Sequence, residues 1–163
     1  MKRRFEGTDG ERRLIAALQN CAVIEHNDAL ARRIVELGEV VSFEPGATIM
    51  SQGGEDNDIY FIVSGEVDVL VNGRPVAVRR AGDSIGEMAI LEPSEPRSAT
   101  VKVRAEAVAL KLTEPDFQQV ADEFPTVWKA VARIAADRLR QRAALISLPN
   151  NRPYLFLGCS SES

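Results

Sequence analysis

The sequence predicts a mainly β domain flanked by helices, an antiparallel barrel or sandwich. Three observations carry this. From Glu39 to Leu112, short runs rich in Val, Ile, Phe and Tyr alternate with turn residues. Before them, apolar residues recur with helical spacing. After Pro125, a long stretch free of Gly and Pro is apolar on one side and polar in its second half. The chain divides accordingly into an N-terminal helical segment at 1–38, a β region at 39–113, C-terminal helices at 114–148 and a remainder at 149–163.

Each element has its own warrant. In Glu11–Leu18, Leu14, Ile15 and Leu18 share one helical face. A second helix starts at Asn27 or Asp28, both good caps; Leu30, Ile34, Val35 and Leu37 form its apolar side, and Gly38 is its C-terminal stop. Val40–Phe43, Thr48–Met50 and Ile59–Val63 read as strands closed by Pro45-Gly46, Gly53-Gly54 and Ser64-Gly65. Val67, Val69 and Val71 alternate with their neighbours as far as Asn72-Gly73, a hairpin pair tolerant of positive φ. Pro75–Val78 is its partner strand, and Thr100–Val103 and Val108–Leu112 are the last strands. Helix resumes at Thr113 or Glu114 with Pro115 in the first turn, and Phe117, Val120 and Ala121 point inward. The helix after Pro125 runs to about Ser147, with Val127, Trp128, Val131, Ile134 and Leu145 apolar.

Composition narrows the function. A hydrophobic fraction of 45% is that of an ordinary globular domain, and a net charge of -4 disfavours a dedicated nucleic-acid binder. No apolar run approaches the ~18 residues of a membrane span, and no secretory signal follows the basic Lys2-Arg3-Arg4, so a cytoplasmic protein is expected. Cys21 and Cys159 are expected as free thiols. A single histidine, His26, leaves no cluster for a cupin-like metal enzyme; it reads as helix-edge packing, and no metal or cofactor is expected.

The chemistry lies at 82–101, in Gly82-Asp83-Ser84-Ile85-Gly86-Glu87-Met88-Ala89-Ile90-Leu91 and Pro96-Arg97-Ser98-Ala99-Thr100-Val101. Gly86 lets backbone approach a ligand, and a short helix from Glu87 presents amide N–H groups. Arg97 offers a planar fork for phosphate oxygens. Glu87, an acceptor when ionised, takes the proton of a sugar hydroxyl. An anion binder and a hydroxyl binder on either side of a helical turn suit a small phosphorylated sugar. The blander reading is a Glu87–Arg97 salt bridge closing a loop.

This stretch resembles the phosphate-binding cassette of cyclic-nucleotide-binding domains, the family of the bacterial cAMP receptor protein and the regulatory subunits of protein kinase A. The resemblance runs from about Asn27 to Ser147 and includes Pro45-Gly46, Gly53, Ile59-Tyr60-Phe61-Ile62, Ser64-Gly65, Val67, Val69 and Gly82-Asp83. It implies a jelly-roll β-barrel with N-terminal helices and a long C-terminal helix that lids the ligand. The helix at 125–147 is also expected as a homodimer seam through Val131, Ile134 and Leu145. By the same resemblance Glu87 holds the ribose 2′-OH and Arg97 the phosphate. Backbone N–H groups of Met88 or Ala89, and of Ser98 or Ala99, complete the phosphate cage. Val69 and Ile85 line the pocket, and one of Arg138, Gln141 or Arg142 reads the base. Ser84 departs from the pattern, since the family often has an aromatic there.

After Pro149 the segment Arg152–Ser163, with Tyr154-Leu155-Phe156-Leu157 at its start, is similar to the opening strand and first loop of a TIR or TIR-like domain. A cyclic-nucleotide sensor joined to TIR resembles the effectors of bacterial Pycsar anti-phage systems. That resemblance implies cUMP or cCMP as ligand and NAD as the substrate of a TIR domain whose catalytic glutamate lies beyond Ser163. The chain itself is expected to bind and not to catalyse, with no nucleic-acid or membrane partner. The alternatives are a cAMP- or cGMP-binding regulatory module of another output domain, and a scaffold barrel that binds nothing.

Overall fold

The computed structural model describes residues 2–147, with side chains to 145. The expected linker and TIR-like segment at 149–163, with Cys159, lie outside the described residues. A 3-10 turn at Lys2–Phe5 precedes α1 (Gly7–Gln19) and α2 (Asp28–Leu37). Strands β1 (Glu39–Phe43), β2 (Thr48–Met50), β3 (Ile59–Val71), β4 (Arg74–Arg80) and β5 (Ser84–Ile85) follow, then α3 (Glu87–Leu91), β6 (Thr100–Leu112), α4 (Glu114–Glu123) and α5 (Thr126–Ser147).

The capping signals act as read. The Asn27 side chain accepts from the Leu30 N–H at 3.0 Å and opens α2. Thr113 does the same for Asp116 at 3.3 Å, with Pro115 in the first turn of α4. Gly38 does end α2, but from an extended backbone (φ -84°, ψ 165°), with its N–H on the Ile34 carbonyl, so the left-handed stop is replaced by a direct turn into β1.

The strands form one antiparallel six-stranded sheet in the order β1-β6-β3-β4, with β2 also on β6 and β5 also on β3. Two pairs of expected strands turn out to be single long strands. Ser64-Gly65 is not a turn between strands; it lies inside β3, which runs unbroken from Ile59 to Val71. Residues 100–112 likewise form one strand, β6. The turn residues serve as bulges: the β3–β6 register shifts between Ile62 and Ser64, between Ser64 and Glu66, and between Glu66 and Val67. A bulge bends a long strand without ending it, which curves the sheet around the core of its inner face. Gly65 has φ +90°, and a Cβ there would stand 2.2 Å from the Glu106 carbonyl oxygen.

Alternation along β3 divides the core. Ile59 and Phe61 point to the helices, where they meet Leu18, Ile34, Phe117 and Val131. Tyr60 and Ile62 point into the barrel with Val67, Val69 and Val101. Burial on both faces is why Ile59–Val63 reads as a continuous apolar run rather than an alternating one. Phe61 and Phe117 are fully buried, each contributing roughly 1.5–3 kcal/mol. Trp128 meets Phe117 edge to face, with ring centroids 5.3 Å apart, in the core position expected for it.

Other expectations need correction. His26 is not packed at a helix edge: it is exposed in a turn with φ 63°. Val131 is fully buried and so is not available as a dimer seam; Ile134 is partly buried against the same core, and Leu139 and Leu145 are the exposed large apolar residues of α5. Cys21 is free and buried, and burial pushes its thiol up to about 11.

Gly65→Ala combines a strained positive φ with a backbone clash. It should lose about 1–3 kcal/mol of unfolding free energy in urea titration; an unchanged midpoint would refute the backbone constraint at Gly65.

Candidate functional site

The cassette is held from below by β3. The Ile62 N–H donates to the Asp83 carbonyl at 2.9 Å and the Gly82 N–H to the Ile62 carbonyl at 3.0 Å. The Asp83 carboxylate accepts from the Arg80 N–H at 2.8 Å, tightening the turn. Tyr60 then pairs with Ile85, and the chain leaves β5 through Gly86, left-handed at φ 96°, to start α3. A Cβ at Gly86 would sit 2.5 Å from the Asp58 carbonyl oxygen and 2.9 Å from Nη1 of Arg97. Only glycine brings the start of α3 so close to the arginine.

Arg97 is placed by the loop between β2 and β3. Its N–H donates to the Gly54 carbonyl at 2.7 Å, and its own carbonyl accepts from the Gly53 N–H at 2.9 Å. The residue is 4% exposed. Nη2 donates to Oδ2 of Asp56 at 2.6 Å and to the Asp58 carbonyl at 2.8 Å. Nε and Nη1 are buried without a hydrogen-bond partner. One end of the fork is therefore fixed while its other donors are unsatisfied, a costly arrangement that an anion would relieve.

Glu87 is also 4% exposed, but the Glu87–Arg97 ion pair does not form. One Glu87 oxygen accepts from Nη1 of Arg138 on α5, and the other from the Ser84 hydroxyl at 3.5 Å. Ser84, where an aromatic residue was the family expectation, is thus a buried neighbour of the carboxylate. The Ser98 hydroxyl accepts from Nη1 of Arg142 at 3.3 Å. The second half of α5 reaches the cassette at two points.

These groups line one cleft. Every expected contact residue of the cassette lines it: Gly86, Glu87, Met88, Ala89, Arg97, Ser98 and Ala99, with Val69 and Ile85 on its apolar wall. The Ala89 N–H donates to the Gly86 carbonyl at 3.2 Å within its own turn. Of the expected base-lid residues, Arg138 and Arg142 line the cleft; Gln141 instead lines the neighbouring depressions, one beside Asp83 and Ile134 and one beside Val76 and Leu145.

Sequence reasoning missed Asp56, which steadies Arg97, and Arg79, a further cation in the cleft, carried on β4. Asp56 carried no signal, being one of several acidic residues in a loop. Arg79 did carry one: counting by twos from Ala77 puts it on the barrel's inward face, opposite the fully buried Val67. With Arg97, Arg138 and Arg142, it makes the cleft cationic in a chain whose net charge is -4.

Comparison with known proteins agrees with this geometry. The cyclic nucleotide-binding domain family model matches residues 40–124. A Pycsar effector protein of Xanthomonas perforans, XpPycTIR, is 39% identical over 100% of this chain and 54% of its own length. PaPycTIR, a Pycsar effector protein of Pseudomonas aeruginosa, is 38% identical over 98% of this chain and 52% of its own. The chain therefore spans about half the length of these curated relatives. Among solved structures, cAMP-bound PfPKA-R matches with a TM-score of 0.74 over 82% of this chain and 46% of that one; at 16% identity this is a likeness of fold.

Arg97 holds the Asp56 carboxyl below its ordinary value of 3.8. The stability this gives is present above that ordinary value and lost as pH falls through the lower folded one. Asp56→Asn should therefore flatten the acid limb of a stability–pH curve while leaving its neutral region nearly level. An acid limb identical to wild type would show that the pair does not titrate as placed.

Proposed function

Because the chain belongs to the cyclic nucleotide-binding domain family, we propose that it is the sensor of a Pycsar-type effector. In this reading it binds a 3′,5′-cyclic mononucleotide, cUMP or cCMP ahead of cAMP or cGMP, and so controls an attached TIR domain that degrades NAD in anti-phage defence in the bacterial cytoplasm. The observation that carries the binding half is the buried Arg97, with Nε and Nη1 unpartnered in a cleft that Glu87 and Gly86 also line. The pyrimidine preference and the TIR output lean on the Pycsar relatives, which are matched along the whole of this chain. A cAMP- or cGMP-responsive module of another output domain is the second reading, favoured by the fold likeness to cAMP-bound PfPKA-R.

The signal route follows from the contacts of α5. Arg138 engages the carboxylate that the ribose hydroxyl would use, and Arg142 engages the Ser98 hydroxyl beside the phosphate position. A nucleotide docking there exchanges partners with both arginines and so changes the resting place of the helix that leads on to residue 148. Such a switch is driven only by the difference in ligand affinity between the two helix positions.

Thermal-shift measurements with the cyclic forms of U, C, A and G provide the test. Ligand at ~100 times its dissociation constant adds about 2.7 kcal/mol, or roughly 5–10 °C at this chain length. Arg97→Ala should weaken binding ~10²-fold by stranding the phosphate; full affinity in that variant would remove the assignment. Leu139 and Leu145 are the proposed dimer contacts of α5. Sedimentation velocity should show a dimer that Leu139→Glu with Leu145→Glu converts to monomer, and a monomeric wild type at high concentration would dismiss it.

A further inference from the structure

The cleft holds one cation that neither phosphate nor ribose recognition requires. Arg79 lies on β4 opposite Val67, facing inward on a barrel wall otherwise lined with aliphatic side chains. Its Nε is buried with no hydrogen-bond partner. Burial first, and Arg138 next, pull its pKa below the ordinary arginine value; Asp83 and Glu87 act in the opposite sense, and Arg142 adds to the lowering. A half-buried guanidinium with an unpartnered Nε, in a cleft that three other arginines line, is a poor stabiliser of the fold, which points to a ligand contact.

Its place in the sheet indicates which part of a nucleotide it meets. The phosphate-end residues Arg97, Ser98 and Ala99 lead directly into β6, which begins at Thr100. Val67 on β3 faces Val103 on β6 and Arg79 on β4, so Arg79 stands two strand spacings, about 9–10 Å, from the β6 backbone. Arg79 and Arg97 line the same cleft, and a ligand held at Arg97 by phosphate and at Glu87 by ribose has only its base left to meet the β4 wall.

Resting on the cyclic-nucleotide reading above, we propose that Arg79 is the base-selecting residue of the site. Its fork donates to a ring carbonyl, the O2 or O4 of uracil, and in cytosine and guanine also to the ring nitrogen acceptor near it (N3 or N7), so the cleft favours bases with a carbonyl, namely uracil, cytosine or guanine, over adenine, which has none. Lysine would supply the charge but not the planar pair of donors.

The experiment is isothermal titration of the 163-residue chain with cUMP, cCMP, cGMP and cAMP, for wild type, Arg79→Leu, Arg79→Lys and Arg97→Ala. Wild type should bind at least one carbonyl-bearing nucleotide ~10-fold or more tighter than cAMP, the discrimination of one bidentate contact. Arg79→Leu should abolish that ratio by weakening the carbonyl-bearing ligands while cAMP stays within about threefold, a change below 1 kcal/mol. Arg79→Lys should shrink the ratio, and carries the test if the leucine variant fails to fold by circular dichroism. Two results overturn the proposal and leave the sensor reading intact: a wild type that prefers cAMP, or Arg79 variants that shift all four affinities by one factor while Arg97→Ala abolishes binding. If wild type binds none of the four, the sensor reading falls and this inference with it.

Discussion

A guanidinium taken almost wholly out of water is the constraint around which the site is arranged. Burying a cation costs several kcal/mol unless its protons are met, and Arg97 has only part of that compensation inside the protein. The loop between β2 and β3 exists in its present form to supply that part. Gly53 and Gly54 bond the backbone on either side of the arginine, Asp56 gives a carboxylate and Asp58 a carbonyl. Gly86 must be glycine because the same carbonyl and the same guanidinium occupy the space a side chain would need. The turn at Gly82-Asp83, tied to Ile62, then sets where α3 begins. What remains unmet on Arg97 defines the chemistry of the cleft, because protein groups have satisfied the rest of the fork.

Much of this was legible in the sequence. The two helical flanks, the caps at Asn27 and Thr113 and the hairpin at Asn72-Gly73 depend on near neighbours, and local chemistry predicts such features well. The cassette residues were legible because glycine, glutamate and arginine fell in one short stretch. What was not legible depends on contacts far apart in the chain. Ser64-Gly65 has the composition of a turn and becomes a bulge because β6 pairs along both sides of it. Val131 looked like an interface residue because periodicity marks an apolar face without saying what covers it; here the protein's own core does. Alternation along β4 put Arg79 on an inward face, but strand order was needed to bring that face to the cleft, and Asp56 enters the site only once the loop path is known.

The long helix α5 combines two elements of different character. From Val127 to Ala135 its inward side is core, packed with α2, α4 and the outer face of β3. From Asp137 onward that support ends, and arginines replace aliphatics on the side that meets α3 and the cleft. The first half is anchored by burial and the second by ion pairing, chiefly Arg138 on Glu87. An element fixed at one end by apolar packing and at the other by exchangeable polar contacts can pivot without unfolding, since only the second set must be remade.

The sheet ends on one side at β4, whose outer edge has no neighbouring strand among the described residues. Pro75 removes one backbone donor from that strand, and Arg74 and Arg80 at its ends place cations on it. Such an edge resists zipping onto another copy of itself, because like charges meet and a ladder bond is missing. Crowded copies of this domain are thereby protected from sheet-to-sheet growth into fibres, and ordered association is left to helical surfaces.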